Sequence, residues 1–68
     1  MALTASDAIS EKEMAVLRLV ASGLANKEVA RQLGISTNTV RAHLGRIYLK
    51  TFTHNRTELA LKFHGIQA

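Results

Sequence analysis

"GISTNTVRAHL", residues 34–44, decides the fold. A glycine, which readily ends a helix in a left-handed conformation, is followed by a polar run and then by apolar residues one helical turn apart. Ser36 is placed to be the N-cap of a helix that begins at Thr37, and Thr39 is placed to bond to it locally. A helix that begins this soon after another ends predicts a helix-turn-helix, whose second helix usually enters the DNA major groove.

The composition of the chain is consistent with a small nucleic-acid-binding domain. Its 68 residues suffice for one domain, and the absence of cysteine and proline, with no alternating β-branched runs, favours an all-helical fold without disulfides or zinc. Nine Lys and Arg against five Asp and Glu give a net charge of +4. Such a surface favours nucleic acid first and an anionic membrane second, although it is also consistent with a solvated basic surface that has no partner. The sequence has no membrane-spanning run and no secretory signal, so we expect a cytoplasmic protein with no membrane partner.

The first helix begins at a capping box. Ser10 and Glu13 have the spacing in which each side chain bonds to the backbone N–H of the other. Apolar residues three and four apart then predict one buried stripe, which consists of Met14, Leu17, Val20, Ala21 and Leu24. Gly23 is expected to end this helix.

The remaining helices are also marked by their ends. Asn26 is expected to cap the second helix and Gly34 to end it, while Asn55 caps the fourth, with Glu58 placed for a reciprocal bond, and Gly65 ends it. The sequence therefore predicts an all-α, compact four-helix domain, with helices at about 11–22, 27–33, 37–51 and 56–64. We expect this domain to span residues 9–68 and to follow a tail or linker stub at residues 1–8.

A helical wheel of the third helix separates a core face from an outer face. At about 100° per residue, Val40, Leu44 and Ile47 fall together and face the core. The opposite side carries two arginines among small and polar residues: Asn38, Arg41, Ala42, Gly45, Arg46 and Leu49. Short side chains for close approach, with arginines for base edges and phosphates, suit a helix in the major groove. A solvent-exposed face without a partner is the alternative.

Two stretches together resemble a known family. "ISEKEMAVLRLVASGLANKEVARQLGISTNTVRAHLGRIYLK" (9–50) and "NRTELAL" (55–61) resemble the LuxR-type (NarL/FixJ-like) helix-turn-helix output domain of bacterial transcription regulators. The resemblance covers roughly residues 9–64. It implies a DNA-binding, cytoplasmic transcription regulator, or the output domain of a larger response regulator, that binds double-stranded DNA as a homodimer on an inverted repeat and meets RNA polymerase. No cofactor is implied.

The resemblance also implies roles for individual residues. Those expected to read bases on the third helix are Arg41, Ala42, Asn38 and Gly45. Those expected to contact phosphates are Lys27, Ser36, Thr37, Thr39, Arg46 and Lys50. The fourth helix is expected to supply the dimer contact, through Leu61, Glu58 and Lys62. Arg56 matches a family position that supports either the fold or a backbone contact.

The chain departs from the family pattern in two places. Where members usually have Lys-Leu-Gly-Val, this chain has Lys50-Thr51-Phe52-Thr53, without the glycine that would end the third helix. We therefore expect either that Phe52 supplies a core contact or that the helix runs on by a turn, and either would change the angle of the fourth helix. Gly45 stands where many members have a polar or basic reader, so reading there is expected to be weak unless the glycine lets the helix sit deeper.

Three other classes of protein fit the sequence less well. An enzyme or metal site is disfavoured because His43, His54 and His64 are spaced eleven and ten apart and have no cysteine near them. A promoter-recognition domain of the sigma-factor type has a similar helix-turn-helix, but the late "NRTELA" favours the regulator. A protein-interaction or oligomerisation module that retains the fold without binding DNA is the alternative from another class.

Overall fold

Four α-helices make up the part of the chain that the structure, a computed structural model, describes: residues 9–67, with side chains to residue 64. They are α1 (Glu11–Ala21), α2 (Asn26–Leu33), α3 (Thr37–Thr51) and α4 (Arg56–Gln67). The all-α, four-helix prediction is confirmed, and α1, α2 and α3 agree with their predicted bounds to within one residue. Residue 68 and the predicted tail at 1–8 lie outside the described residues.

The hydrophobic core lies where α1 meets the other three helices. Its most deeply buried side chains come from every helix: Val16, Val29, Val40, Ile47 and Leu59. The predicted stripe of α1 was wrong in leaving out Val16, which is fully buried, whereas Met14 is only partly buried. Because α1 packs against three helices rather than one, its buried face is wider than a single stripe and is centred differently.

Two of the predicted helix starts are confirmed by hydrogen bonds. The Ser10 N–H donates to Oε1 of Glu13 at 2.9 Å and the Glu13 N–H donates to Oγ of Ser10 at 3.1 Å, which completes the capping box. At α3, the Thr39 N–H donates to Oγ of Ser36 at 3.0 Å. Gly34 ends α2 in the left-handed conformation, with φ 68°, so the two helices of the motif meet at a sharp turn.

The predicted cap of α2 was wrong. Asn26 is the first residue of the helix, and the N-cap position is occupied by Ala25, which makes no side-chain cap. The Asn26 amide is used elsewhere, because its Oδ1 accepts from Nη1 of Arg56 at 2.6 Å. A tertiary hydrogen bond to a charged donor is stronger than a local cap, and only the fold brings Arg56 to this site.

The start of α4 was predicted correctly, but its end was not. Oδ1 of Asn55 accepts from the Glu58 N–H at 2.9 Å, so the predicted cap is confirmed, but the Glu58 carboxylate accepts from the His54 N–H rather than from Asn55. Gly65 does not end the helix, which continues to Gln67. Glycine inside a helix costs only about 1 kcal/mol relative to alanine, so it permits an end without imposing one.

The turn between α3 and α4 contradicts both outcomes expected for it. The helix stops at Thr51, and Phe52 takes the left-handed conformation of the missing glycine, with φ 57° and ψ 40°. Its ring contributes nothing to the core, since the residue is 82% exposed. The backbone closure is retained without the glycine, because the Phe52 N–H donates to the Tyr48 carbonyl and the Thr53 N–H donates to the same oxygen at 3.1 Å.

The two threonines that replace apolar residues at this turn are buried with their hydroxyls satisfied. Oγ1 of Thr51 donates to the Ile47 carbonyl at 2.7 Å and lies 2.9 Å from Oγ1 of Thr53. Nζ of Lys62 also donates to the Thr51 carbonyl at 2.8 Å, which places a cation at the C-terminus of α3. Together these bonds fix where α4 leaves the motif.

Replacing Phe52 with glycine is expected to raise the free energy of unfolding by about 0.5–1 kcal/mol. A non-glycine residue in the left-handed region carries a strain of about 1–2 kcal/mol, and glycine removes it at some cost in unfolded-state entropy. Removing the Phe52 ring also removes its exposed contact with Lys62, whose Nζ lies 6.0 Å from the ring centroid. Urea denaturation checks the change, with Phe52→Ala as the matched control that removes the ring and keeps the strain. A glycine variant less stable than the alanine variant would contradict the prediction.

Candidate nucleic-acid interface

The outer face of α3 is continuous and exposed. The residues placed on it by the helical wheel are all exposed in the structure: Asn38, Arg41, Ala42, Gly45, Arg46 and Leu49. The buried residues of the helix, Val40, Leu44, Ile47 and Thr51, lie on the opposite side. One side of α3 is thus exposed along its length, while α2 packs against the helix as in a helix-turn-helix.

Gly45 lies in the middle of this face for no reason of packing. A Cβ added there would meet no atom within 4 Å, and the backbone is helical, so alanine would fit. Along one line of the helix, Asn38 and Ala42 precede Gly45, and Leu49, which is 78% exposed, follows it. The result is a strip of short side chains from Asn38 to Gly45, which ends at Leu49 and is flanked by the two arginines.

The first turn of α3 offers hydrogen-bond donors to an anion. Ser36 is exposed, and its hydroxyl lies 2.9 Å from the hydroxyl of Thr39. The first backbone N–H groups of a helix, here those of Thr37 and Asn38, have no carbonyl partner within the helix. Such a turn is a ready site for a phosphate group. Lys27, in the first turn of α2, is exposed as well.

Acidic residues are kept away from the outer face of α3. The helix itself contains none. Elsewhere in the described residues, Glu28 pairs with Arg31 at 3.3 Å, and Glu58 accepts from the His54 backbone and ring, which lowers the pKa of Glu58 below its usual value. The exposed arginines of α3, Arg41 and Arg46, therefore have no carboxylate on their own helix.

Lys50, predicted as a phosphate contact, lies in a different environment. Its Nζ is 2.7 Å from Oε1 of Glu13, and the two side chains are only 20% and 4% exposed. Burial alone would raise the pKa of Glu13. The hydrogen bond from Lys50, the hydrogen bond from the Ser10 N–H and the positive charge of Lys50 outweigh burial and lower this pKa from its ordinary value of 4.5. This ion pair joins the start of α1 to the end of α3, and DNA contact by Lys50 would require breaking it.

Arg56 supports the fold rather than facing the outer surface of α3. Its Nη1 bonds Asn26, as above, and its Nη2 donates to the Leu24 carbonyl at 2.6 Å. Both bonds are partly buried and join α4 to the turn before α2. These bonds support the first of the two roles that the sequence left open, that of holding the fold.

The three residues predicted for dimer contact differ in whether they already have partners within the domain. Leu61 is 68% exposed on α4. Lys62 caps α3 through the Thr51 carbonyl, and Glu58 holds His54, so both already have partners within the domain.

The histidines do not form a metal site in the described part of the chain, where no group of three potential ligands lies together. His43 is partly buried beside α1, and its Nδ1 is sheltered with no hydrogen-bond partner. Among residues 9–67, no helix is long and apolar enough to cross a membrane.

Comparison with known families decides the identity of this motif. The family model described as "Bacterial regulatory proteins, luxR family" matches residues 7–63, nearly the whole chain. The chain belongs to this family. The helix-turn-helix of α2 and α3 is accordingly that of a DNA-binding transcription regulator, and the family is one of regulators rather than of enzymes.

Curated relatives carry the same domain within longer proteins. The nitrate/nitrite response regulator protein homolog of Haemophilus influenzae is 40% identical over 57 residues, which are 84% of this chain and 27% of that protein. A two-component response regulator of Pseudomonas aeruginosa is 43% identical over 78% of this chain and 19% of its own length. The monoamine regulon transcriptional regulator of Klebsiella aerogenes is 47% identical over 75% and 22%. The chain thus spans about a quarter or less of the length of these luxR-family relatives. No solved structure matches it significantly.

Sequence reasoning missed the partners of Glu13, Lys50 and Asn26. The capping box at Ser10 explains Glu13 by local bonds alone, and nothing in the sequence signals its second partner 37 residues away.

Proposed function

We propose that this luxR-family domain binds double-stranded DNA sequence-specifically with α3 in the major groove and so regulates transcription. The observation that carries the proposal is the exposed, acid-free outer face of α3, with arginines on either side of a strip of small residues. A helix with side chains is about 10–12 Å across and the groove is about 12 Å wide, so short side chains at the centre favour close approach.

Three residues on this face have the chemistry to read bases. Arg41 suits the two acceptors of guanine, Asn38 suits adenine, and the Ala42 methyl suits the methyl group of thymine. Gly45 contributes no side chain, so we expect weak discrimination at the base pair that faces it. Packing does not require glycine there and glycine destabilises a helix relative to alanine, so its presence fits a face that a partner approaches closely.

Phosphate contacts flank the reading face. We assign them to exposed or partly exposed donors of α2, the turn and α3: Lys27, Ser36, Thr37, Thr39 and Arg46. Lys50 is omitted because its ammonium is held by Glu13. These contacts set the register on DNA and make the affinity salt-dependent without carrying sequence information.

The proposal includes a homodimer on an inverted repeat, with Leu61 of α4 in the contact, and RNA polymerase as a further partner near the promoter. The exposure of Leu61 supports the dimer. Glu58 and Lys62 are expected at its rim only, since both are held within the domain.

A protein-interaction module that does not bind DNA is the second candidate. The observation that favours it is the exposure of three large apolar side chains, those of Leu49, Phe52 and Leu61.

Selection of bound duplexes from a random DNA pool tests the proposal and separates it from this alternative. An enriched inverted repeat, with affinity that falls steeply as salt rises, is the expected result and gives the half-site spacing. Enrichment of single half-sites would remove the dimer from the proposal. A folded sample that binds no duplex at low salt would leave the interaction module.

A further inference from the structure

A cleft of about 270 Å³ opens between α1 and α3, beside the helix-turn-helix. Its floor is apolar and is formed by side chains of α1, the end of α2 and the turn. Its polar groups come from three residues, Lys12, Thr39 and His43. All three can donate hydrogen bonds, and no carboxylate lines the cleft.

Two of the three donors of this cleft, Lys12 and His43, have no partner among the described residues, whereas the Thr39 hydroxyl already lies 2.9 Å from that of Ser36. Lys12 is exposed and forms no ion pair within residues 9–67, in contrast to Lys50. Nδ1 of His43 is sheltered from solvent without a hydrogen-bond partner, an arrangement that is unfavourable unless another group bonds to it. Of the two carboxylates next to Lys12 in the chain, Glu13 is bound by Ser10 and Lys50, and Glu11 does not line the cleft. The cleft therefore suits an anion.

The position of the cleft identifies that anion. Thr39, His43 and Arg46 are four and three residues apart and share one flank of α3, next to the reading face. A helix seated in the major groove has a phosphate backbone along each flank. With α3 in the major groove as proposed above, the DNA strand on this flank would pass Thr39 and Arg46 and so cross the cleft that Lys12 lines from α1.

We propose that Lys12 is a DNA phosphate contact supplied by α1, outside the helix-turn-helix, with His43 as a second donor from the cleft. This inference rests on the proposed function. It extends the interface to a third helix and assigns a role to a lysine that lies within a capping box without belonging to it.

The test is the salt dependence of duplex binding by Lys12→Gln. We expect binding to weaken by the same factor on a selected site and on a random duplex, because phosphates carry no sequence information. The slope of log K against log salt should fall by about 0.9, so the deficit relative to wild type shrinks about 3.5-fold between about 50 and 200 mM salt. Lys12→Arg should restore the slope.

Arg18→Gln is the matched control, since Arg18 is exposed on α1, does not line the cleft, and its loss changes the net charge equally. Equal slopes for Lys12→Gln and Arg18→Gln, with wild type still bound, would overturn the inference and leave the proposed function intact. Wild-type protein that binds no duplex would overturn both. Circular dichroism and urea denaturation confirm that each variant is folded.

Discussion

Replacing Glu13 with glutamine is expected to lower the free energy of unfolding at neutral pH by about 2–3 kcal/mol. Glu13 is 3% exposed and its carboxylate accepts from both Ser10 and Lys50. Removing one partner of a buried ion pair costs about 3–5 kcal/mol, and the partial exposure of Lys50 lets its ammonium find water and reduces that cost. Glutamine retains an acceptor for the Ser10 N–H, so the capping box is preserved and the loss reports the ion pair.

The effect of this variant should depend on pH with a definite sign. The pKa of Glu13 is lower in the folded state than its ordinary value of 4.5. The ionised carboxylate therefore stabilises the fold at pH values above 4.5, and this stabilisation is lost as the pH falls through the folded-state pKa. The difference between wild type and Glu13→Gln is therefore largest near neutral pH and shrinks in acid. Urea denaturation at several pH values measures it.

Two further variants isolate the ion pair. Glu11→Gln removes an exposed carboxylate from the same helical turn and should cost less than about 1 kcal/mol. Lys50→Met combined with Glu13→Gln should recover part of the stability, because methionine removes the ammonium that Glu13→Gln leaves without its carboxylate. A small domain has only about 0.05–0.15 kcal/mol of stability per residue, so the single variant should be visibly less stable. Equal losses for Glu11→Gln and Glu13→Gln would show that the ion pair does not stabilise the fold.

Replacing Arg41 with alanine is expected to weaken binding to the selected DNA site by about 1–3 kcal/mol, or about 5- to 150-fold. Arg41 is exposed on the outer face of α3 and forms no ion pair within residues 9–67. Its loss should relax the preference at a single base pair while it leaves the urea midpoint nearly unchanged. Titration of the selected duplex, and of duplexes with each base pair changed in turn, measures both effects.

The control for Arg41 is Arg18→Ala, which removes an exposed arginine of α1 that does not line the cleft. This variant should weaken DNA binding only slightly, by the effect of losing one positive charge away from the interface. If Arg41→Ala binds as tightly and as selectively as Arg18→Ala, Arg41 does not read bases, and the assignment of α3 as the reading helix loses its main support.

The sequence predicted the helices and the reading face well because both depend on local rules. Ser10 and Ser36 begin helices by bonding to residues three positions on, and Gly34 ends one by a conformation that it adopts at little cost. The outer face of α3 follows from helical periodicity alone. Its role in DNA contact stays a prediction.

The predictions from sequence were wrong mainly where a residue type suggested a local role but a contact with a distant residue decided the structure. Asn26 has the residue type of a cap, yet its amide serves Arg56, 30 residues later. Gly65 permits a helix end that α4 does not take. At Phe52 the pattern lost its glycine, but the backbone kept the left-handed turn, because the bonds of Thr51, Thr53 and Lys62 hold the end of α3 in place.

The sequence by itself determined that this protein is a four-helix domain with a helix-turn-helix and a basic outer face on α3. Caps, glycine stops and apolar periodicity act within a few residues, and their energies do not depend on the rest of the fold. Only the tertiary structure decided which charges remain for a partner. It placed Lys50 on Glu13 and Arg56 on Asn26, and it left Lys12 exposed beside a cleft, because pairing between distant side chains depends on how the helices pack.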